Sequence, residues 1–189
     1  VLRQPIEDGI ITVARVSSVI TYPARFMLIA AMNPCPCGYF SHPEKSCRCT
    51  SYQIQRYINK ISGPLLDRID IHIEVPPISY SDIEKKKDGM SSKEMREIVI
   101  KAREVQIERY KNYKIHCNAD LDGKLLKQVC KLDKESQTLL QMAMREMSFS
   151  ARSYTRILKV ARTIADIDES EEIKSNHVSE AIQYRYLDK

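Results

Sequence analysis

Four of the six cysteines lie in one short stretch, NPCPCGYFSHPEKSCRCT, which covers residues 33–50. Cys35, Cys37, Cys47 and Cys49 form two Cys-x-Cys pairs with nine residues between the pairs. Four thiolates from one loop can complete a tetrahedral metal site, and soft sulfur ligands favour zinc or an iron–sulfur cluster over harder ions. Because four protein ligands leave no coordination position open, zinc bound here would stabilise structure and would not catalyse a reaction.

The same loop allows a plainer interpretation, in which four reduced thiols lie on the surface without a metal. Pro34, Pro36 and Gly38 let the chain bend tightly around an ion, which favours the metal interpretation. His42 lies between the two pairs and is a weaker substitute ligand, since an exposed loop histidine explains it better. The spacing therefore predicts a structural zinc site with the four cysteines as ligands.

Three other side chains lie where they can meet an anion. Asn33 follows an apolar run, and open α/β sheets bind ligands beyond the carboxyl ends of their strands. Arg68 follows a helix-like segment, and its planar, permanently charged guanidinium suits a phosphate across a subunit boundary. Arg152 lies in the first turn of a helix, where a cation opposes the helix dipole unless an anionic partner is present.

Each of these three side chains also has an alternative explanation. Asn33 can form an Asx turn before the proline that follows it. Arg68 can form a surface ion pair of little energetic value with the aspartate before it. Arg152 can belong to a basic, solvated helix face with Arg156 and Arg162. For Asn33 and Arg152, the residues alone favour the alternative.

The first part of the chain contains β-strand signals. Two β-rich segments, IITVARV and SVITY, predict a hairpin whose tip lies at Val16–Ser18. RFMLIAAM, at residues 25–32, is a continuous apolar run, which predicts a strand buried on both faces as in a parallel sheet. RIDIHIEVP alternates apolar and polar residues, which predicts a second strand over Ile69–Val75.

Helical signals dominate the rest of the chain. Apolar residues three and four apart predict a helix over Ser51–Ser62, with Thr50 or Ser51 as its N-cap. Prolines and a charged run predict a linker at residues 79–90. Ser91 and Glu94 then form a capping-box pattern at the start of a long helix. Four more helices are predicted over Asp120–Cys130, Lys134–Met147, Ala151–Asp166 and Ser175–Tyr186.

Composition narrows the class of protein without selecting one. The 189 residues are 43% hydrophobic and have a net charge of +5, which permits a polyanionic partner and does not require one. No apolar run approaches the roughly 20 residues that span a bilayer, and no secretory leader opens the sequence. We therefore expect a cytoplasmic protein without a membrane partner. In such a protein, cysteines indicate metal ligands or free thiols before they indicate disulfides. The sequence begins in the middle of a helical pattern, so we expect residues before it.

Four segments together resemble one family, the magnesium-chelatase-like AAA+ ATPases, and within it the ComM/YifB group. They occur in the family's order and span nearly the whole chain. They are LRQPIEDG, YPARFMLIAAMNPCPCGYF, CRCTSYQIQRYINKISGPLLDRIDIHIEVP and SARSYTRILKVARTIAD.

The resemblance implies a role for each of the three anion-facing residues. Asn33 matches sensor 1, which positions the attacking water near the γ-phosphate, and Arg68 matches the arginine finger that reaches the ATP of a neighbouring protomer. Arg152 matches sensor 2, which contacts bound nucleotide from the lid. Residues 10–26 match the hairpin insert before sensor 1, which points toward the pore in ring ATPases. The resemblance also implies a hexameric ring that uses ATP and Mg²⁺, and the cysteine loop recurs in many members of the group.

The sequence departs from the family's pattern in one respect. It contains no G-x-x-x-x-G-K-[ST] phosphate loop and no apolar strand that ends in Asp-Glu and could hold Mg²⁺. The family has both upstream of LRQPIEDG. The resemblance therefore implies a helix-rich α/β chain: part of an AAA+ αβα core with a hairpin insert and Cys-rich loop at residues 1–78, and a helical lid at residues 91–189. We expect this chain alone neither to bind ATP tightly nor to hydrolyse it.

Three functions remain open. The first is part of a hexameric ATPase that acts on DNA in recombination or branch migration, as the ComM group does. The second is a zinc-stabilised DNA- or protein-binding module without catalysis, which requires cations and aromatics on one face. Its aromatic candidates have spacing more typical of a helix core, and they are Tyr52, Tyr57, Tyr110 and Tyr113. The third is a true magnesium-chelatase subunit, against which the cysteine loop and the ComM-type sequence argue.

Overall fold

The computed structural model describes residues 2–16, 18–78 and 89–185. Their contacts group them into two compact units, which divide between Arg68 and Ile69. The predicted linker at residues 79–90 lies outside the described residues except for its last two positions. The predicted domain boundaries at residues 78 and 91 stay predictions.

The first unit contains three helices and one hairpin. They are α1 (Arg3–Asp8), β1 (Ile10–Arg15), β2 (Ser18–Pro23), α2 (Ser51–Ile58) and α3 (Gly63–Leu66). Gly9 ends α1 in the left-handed region at φ 65°, and its N–H donates to the carbonyl of Pro5 at 3.1 Å. The left-handed backbone of Gly9 favours glycine, and a Cβ there would lie 3.1 Å from Cγ of Arg25, whose side chain would have to shift.

The predicted hairpin is confirmed. Strands β1 and β2 pair antiparallel, with Ile11 opposite Tyr22 and Val13 opposite Ile20. Two residues connect the strands, and the second of them, Ser17, lies outside the described residues. Opposite residues share one face of an antiparallel pair, so these four side chains form an apolar face on the hairpin. All four are exposed within this chain.

The two other predicted strands are wrong. Residues 25–32 and 69–75 form no strand, and β1–β2 is the only sheet among the described residues. Met27 and Ile29 are 84% and 83% exposed, although the apolar run predicted burial on both faces. A parallel strand forms only when a neighbour accepts its hydrogen bonds, and no described segment supplies that neighbour. The parallel αβα core is therefore not observed among the described residues.

Local capping explains where α2 begins and ends. The Thr50 hydroxyl accepts from the Gln53 N–H at 3.3 Å, and the Gln53 side chain accepts from the Thr50 N–H at 2.9 Å. This capping box confirms Thr50 as the N-cap. The helix ends at Ile58, four residues before the predicted end at Ser62. Gly63 and Pro64 open α3, in agreement with the preference of proline for the first turn of a helix.

The second unit is helical, as predicted. Its helices are α4 (Ser92–Tyr110), α5 (Gly123–Val129), α6 (Lys134–Glu146), α7 (Ala151–Ile167) and α8 (Ser175–Gln183), with a 3₁₀ turn over Asn118–Asp120. Ser91 and Glu94 form the predicted capping box, and the hydrogen bonds from Ser91 lower the pKa of Glu94. One buried cluster joins the five helices, with Tyr110, Leu126, Leu140, Ile157 and Val178 among its members.

A buried carboxylate joins α4 to α7. Asp166 is fully buried and accepts from Nη1 of Arg109 at 2.9 Å, from Nδ2 of Asn118 at 2.8 Å and from Nε of Arg162 at 3.1 Å. Arg162 is 2% exposed, so the interpretation that placed it on a solvated basic face is wrong. Its guanidinium also donates to the carbonyl of Glu171 at 2.7 Å. The two cations and the amide fix the packing of three chain segments around one anion.

Asp166→Asn removes that anion and leaves two arginines close together in the interior. We expect the free energy of unfolding to fall by about 3–5 kcal/mol, because a buried cation without its partner is costly. Urea denaturation followed by circular dichroism measures the change. The matched control is Glu169→Gln, whose side chain is 70% exposed and pairs with Lys101 at 3.7 Å. This control substitution should lower the free energy of unfolding by less than about 1 kcal/mol. Equal losses of stability in both variants would contradict the prediction.

Candidate metal centre and candidate nucleotide-site residues

The four predicted cysteine ligands converge. Their Sγ atoms all lie within 4.8 Å of one another. Cys35 lies 3.3 Å from Cys37 and 3.7 Å from Cys47, and the Cys37–Cys47 separation is 3.6 Å. Zinc with Zn–S bonds of about 2.3 Å in a tetrahedron needs sulfur–sulfur separations of about 3.8 Å. The donor set and its spacing therefore fit a closed four-thiolate site.

Short-range turns bring the two cysteine pairs together. The Gly38 N–H donates to the carbonyl of Cys35 at 3.0 Å, and Gly38 has φ 81°, a conformation that favours glycine. Nδ1 of His42 accepts from the N–H groups of Glu44 and Lys45 at 3.1 and 3.2 Å. His42 thus stabilises the turn between the two cysteine pairs. Among the described residues, the group that could hold a metal ion consists of the four cysteines and does not include His42.

The thiols of the cluster differ in how easily they ionise. Backbone N–H groups of Tyr39 and Arg48 donate to Sγ of Cys37 and lower its pKa to about 6. Burial raises the pKa of Cys49 to about 12, and the sulfurs beside it add to the rise. Four thiolates this close repel one another, so a bound cation is needed to keep all four ionised. The chemistry of the cluster agrees with a soft, divalent metal ion.

Asn33 lies beside the metal-site loop. A Cβ built on Gly38 would lie 3.9 Å from Cγ and Nδ2 of Asn33, an ordinary van der Waals distance, so the amide side chain lies next to this turn. The Asn33 side chain is exposed. Asn33 thus belongs to the same local structure as Cys35 and Cys37. Its role as sensor 1 stays a prediction.

Arg68 has a carboxylate partner that the sequence did not indicate. Nε of Arg68 donates to Oε2 of Glu7 at 2.7 Å, and Nη2 bonds the same carboxylate. Nη1 donates to the carbonyl of Pro64 at 2.6 Å. The Arg68 side chain is 10% exposed and the Glu7 side chain is 37% exposed. The pair holds the guanidinium in a fixed orientation between α1 and the end of α3.

Arg152 lies in the first turn of α7 and is exposed. Ser150 caps this helix by accepting from the Ser153 N–H at 3.1 Å. Arg156, one turn later, forms an ion pair with Asp70. The predicted basic face is therefore partly neutralised by an acidic partner from the segment that follows Arg68. The role of Arg152 as sensor 2 stays a prediction.

Hydrogen bonds hold the segment after Arg68 against the helices of the second unit, to which it belongs. The His72 N–H donates to the carbonyl of Tyr184 at 2.7 Å, and the guanidinium of Arg185 donates to the carbonyl of Ile69. Arg185 is 1% exposed and also donates to Oγ of Ser153 at 3.3 Å. No spacing in the sequence indicated these contacts, because their partners lie far apart in the chain, by 116 positions for Ile69 and Arg185 and by 32 for Ser153 and Arg185.

Comparison with known proteins covers both units. Residues 1–83 match the family described as magnesium chelatase, subunit ChlI, and residues 89–185 match the family described as magnesium chelatase, subunit ChlI C-terminal. The competence protein ComM of Haemophilus influenzae is 42% identical over 187 residues, which are 98% of this chain. The chain belongs to the magnesium-chelatase-like family. Within it, the predicted resemblance to the ComM/YifB group is confirmed.

Other relatives in the family agree with this assignment. The uncharacterized protein YifB of Escherichia coli is 43% identical over 189 residues, which are 100% of this chain. The uncharacterized protein Rv2897c of Mycobacterium tuberculosis is 34% identical over 184 residues, which are 97% of this chain. The chain spans 36% of the length of ComM and of each of these two relatives. Among the described residues, no helix is long and apolar enough to cross a membrane.

Proposed function

We propose that the longer protein represented by this chain is a hexameric AAA+ ATPase motor that acts on DNA, in recombination or branch migration. The observation that supports it most directly is the similarity to ComM, which runs through 98% of the chain and through both units. The family suggests the use of nucleotide and Mg²⁺. The resemblance to the ComM group suggests DNA as the substrate.

Three residues are proposed to serve the ATP site. Asn33 orients the attacking water, Arg68 stabilises the transferring phosphoryl group of the neighbouring protomer, and Arg152 contacts nucleotide from the lid. Phosphoryl transfer depends on positioning and charge stabilisation, so arginines are suited to both contacts. A finger supplied by a neighbour makes hydrolysis depend on ring assembly. Within this chain, the ion pair with Glu7 holds the Arg68 guanidinium in one orientation.

Zinc is the proposed resident metal of the cysteine cluster. A closed set of four thiolates would stabilise the loop beside Asn33 and supply no catalytic position. ATP and Mg²⁺ are proposed for the longer protein, because membership of the family suggests their use. In this proposal the chain supplies the sensing and trans-acting residues, and other residues of the longer protein hold the phosphates.

ATP turnover by the isolated chain and by the longer protein tests the proposal. We expect Mg²⁺-dependent hydrolysis by the longer protein, with stimulation by DNA, and none by the 189-residue chain. A coupled phosphate-release assay, run with and without DNA, measures both. Mg²⁺-dependent turnover by the isolated chain would overturn the assignment of roles. Failure of the longer protein to hydrolyse ATP would overturn the motor itself.

One observation favours the second candidate function, a zinc-stabilised module that binds DNA or protein without catalysis. Tyr52 was predicted to lie in a helix core, yet it is 73% exposed and lies near the cations Arg56, on α2, and Lys60, in the turn after α2. Such a module would bind its partner without ATP, and the turnover assay separates the two functions. A true magnesium-chelatase subunit, the third candidate, would support metal insertion into a porphyrin.

A further inference from the structure

One side of α2 and of the turn after it combines an aromatic ring, two amides and two cations. The five residues lie at positions i, i+3, i+4, i+7 and i+8, a pattern that places side chains on one side of a helix. We call this face the α2 surface, and its residues are Tyr52, Gln55, Arg56, Asn59 and Lys60. All five are exposed, and together they line one shallow groove.

The cations of the α2 surface have no acidic partner in the described part of the chain. No described carboxylate forms an ion pair with Arg56 or Lys60. The nearby sequence adds to the positive charge, because residues 33–62 contain four lysines and arginines and one acidic residue, Glu44. An unneutralised basic surface of this kind attracts a polyanion.

The two amides and the tyrosine ring indicate which class of polyanion this surface could bind. The Gln55 side chain donates to Oδ1 of Asn59 at 2.9 Å, which orders the two amides as a pair in the middle of the surface. The exposed ring of Tyr52 offers a flat face one helical turn from Arg56. A base can stack on such a ring only when it is unpaired, whereas the phosphates of a single strand and of a duplex can both contact the cations. A membrane-binding helix would instead show bulky apolar side chains on this face.

We propose that the α2 surface binds single-stranded nucleic acid, with phosphates on Arg56 and Lys60 and a base stacked on Tyr52. The inference deepens the proposed function and rests on it for the choice of DNA as the partner. The loop that the four cysteines close ends at Cys49, directly before the N-cap Thr50, so the cluster fixes the start of the helix that presents this surface.

Fluorescence anisotropy with a labelled oligothymidylate tests the surface in the 189-residue chain. We expect the double variant Arg56→Gln/Lys60→Gln to bind about tenfold or more weakly. The slope of log K against log salt should become shallower by about 1.4, which is about 0.7 for each lost phosphate contact. The matched control is Lys124→Gln/Lys127→Gln, which changes the net charge equally on exposed positions of α5 and should leave both quantities unchanged.

The stacking contact has its own pair of variants. Tyr52→Ala should weaken binding about 5- to 150-fold, the range for loss of one stacked base, while Tyr52→Phe should retain most of the affinity. Tyr113→Ala removes a ring that is 50% exposed in the other unit and serves as the control. Far-ultraviolet circular dichroism checks that each variant keeps the helix content of the parent.

Several outcomes would overturn the inference. They are equal affinity in the α2 variants and the parent, equal losses in the control variants, tighter binding of a duplex than of the single strand, and no binding of the oligonucleotide by the parent. Binding of polyglutamate in place of the oligonucleotide would point to an acidic protein partner. ATP turnover by the longer protein is measured in parallel. If that turnover responds to DNA while α2 variants bind normally, the proposed function stands and this surface is wrong.

Discussion

Protein purified without chelator will contain about one zinc ion per chain, and Cys47→Ser will abolish it. The reason is geometric and electrostatic. Three sulfur–sulfur separations in the cluster, from 3.3 to 3.7 Å, lie close to those of a zinc–tetrathiolate tetrahedron. Structural zinc contributes on the order of 10 kcal/mol to the site that it organises. Elemental analysis of parent and variant measures the metal directly.

Loss of the metal will also unfold the start of α2. This helix has eight residues and none of them is buried, so little apart from its capping box holds it. Isolated helices of this length are marginal in water. The cysteine that ends the cluster, Cys49, is joined directly to the N-cap Thr50. Hydrogen exchange should therefore show faster exchange of the α2 amides in chelated protein and in Cys47→Ser, and unchanged exchange in α7.

Cys117→Ser is the matched control for the metal experiment. Cys117 lies outside the cluster and contacts Oδ2 of Asp120 at 3.3 Å. Its replacement should leave the zinc content and the exchange of α2 unchanged. A parent protein without zinc, in which the four clustered thiols react freely with a thiol reagent, would contradict the prediction. The cluster would then be a loop of reduced cysteines, the alternative that the sequence left open.

Local patterns in the sequence predicted the features that depend on neighbouring residues. The cysteine cluster followed from two Cys-x-Cys pairs in one loop, and the capping box at Ser91 followed from a glutamate three residues later. Thr50 was one of two N-caps that the sequence offered for α2. The hairpin followed from two β-rich segments with a short tip. In each case the groups that interact are close in the chain, so residue type and spacing contain the information.

Features that depend on distant residues were missed or wrong. The Glu7–Arg68 pair joins residues separated by 61 positions, and no periodicity indicates it. The predicted strand at residues 25–32 had the right composition, but a strand also needs a hydrogen-bonding neighbour. Arg162 has the appearance of a surface cation in the sequence. Asp166 follows it by four residues, but the burial of this pair depends on Arg109 and Asn118, which come from distant positions in the chain.

In the longer protein, Arg68→Ala will lower kcat for ATP by about a thousandfold, the lower end of the range for an arginine finger. The guanidinium is already oriented by Glu7 and by the carbonyl of Pro64. A phosphate of a neighbouring protomer would therefore approach a guanidinium group in a fixed orientation. Arg103→Ala, on an exposed position of α4, is the control and should leave kcat unchanged. Steady-state kinetics at saturating ATP measures the difference.

Complementation between two inactive proteins distinguishes a finger that acts in trans from an arginine that only supports the fold. We expect activity to return when Arg68→Ala is mixed with a variant altered in the phosphate loop that the family has upstream. In such mixed rings, an intact Arg68 can face an intact phosphate loop on the next protomer. A mixture that stays inactive, although both variants assemble with the wild type, would contradict the role in trans.

Glu7 should behave as a positioning residue in the same assay. Glu7→Gln keeps the size of the side chain and removes the charge that holds Nε and Nη2 of Arg68, so the guanidinium keeps its bond to Pro64 and loses its fixed orientation. We expect kcat to fall about tenfold with KM for ATP unchanged, because only an interaction made in the transition state is weakened. Glu7→Asp, which retains the charge, should recover part of the loss. A rise in kcat would instead mean that the ion pair withholds Arg68 from its neighbour's phosphate, and that the carboxylate must release the guanidinium before hydrolysis.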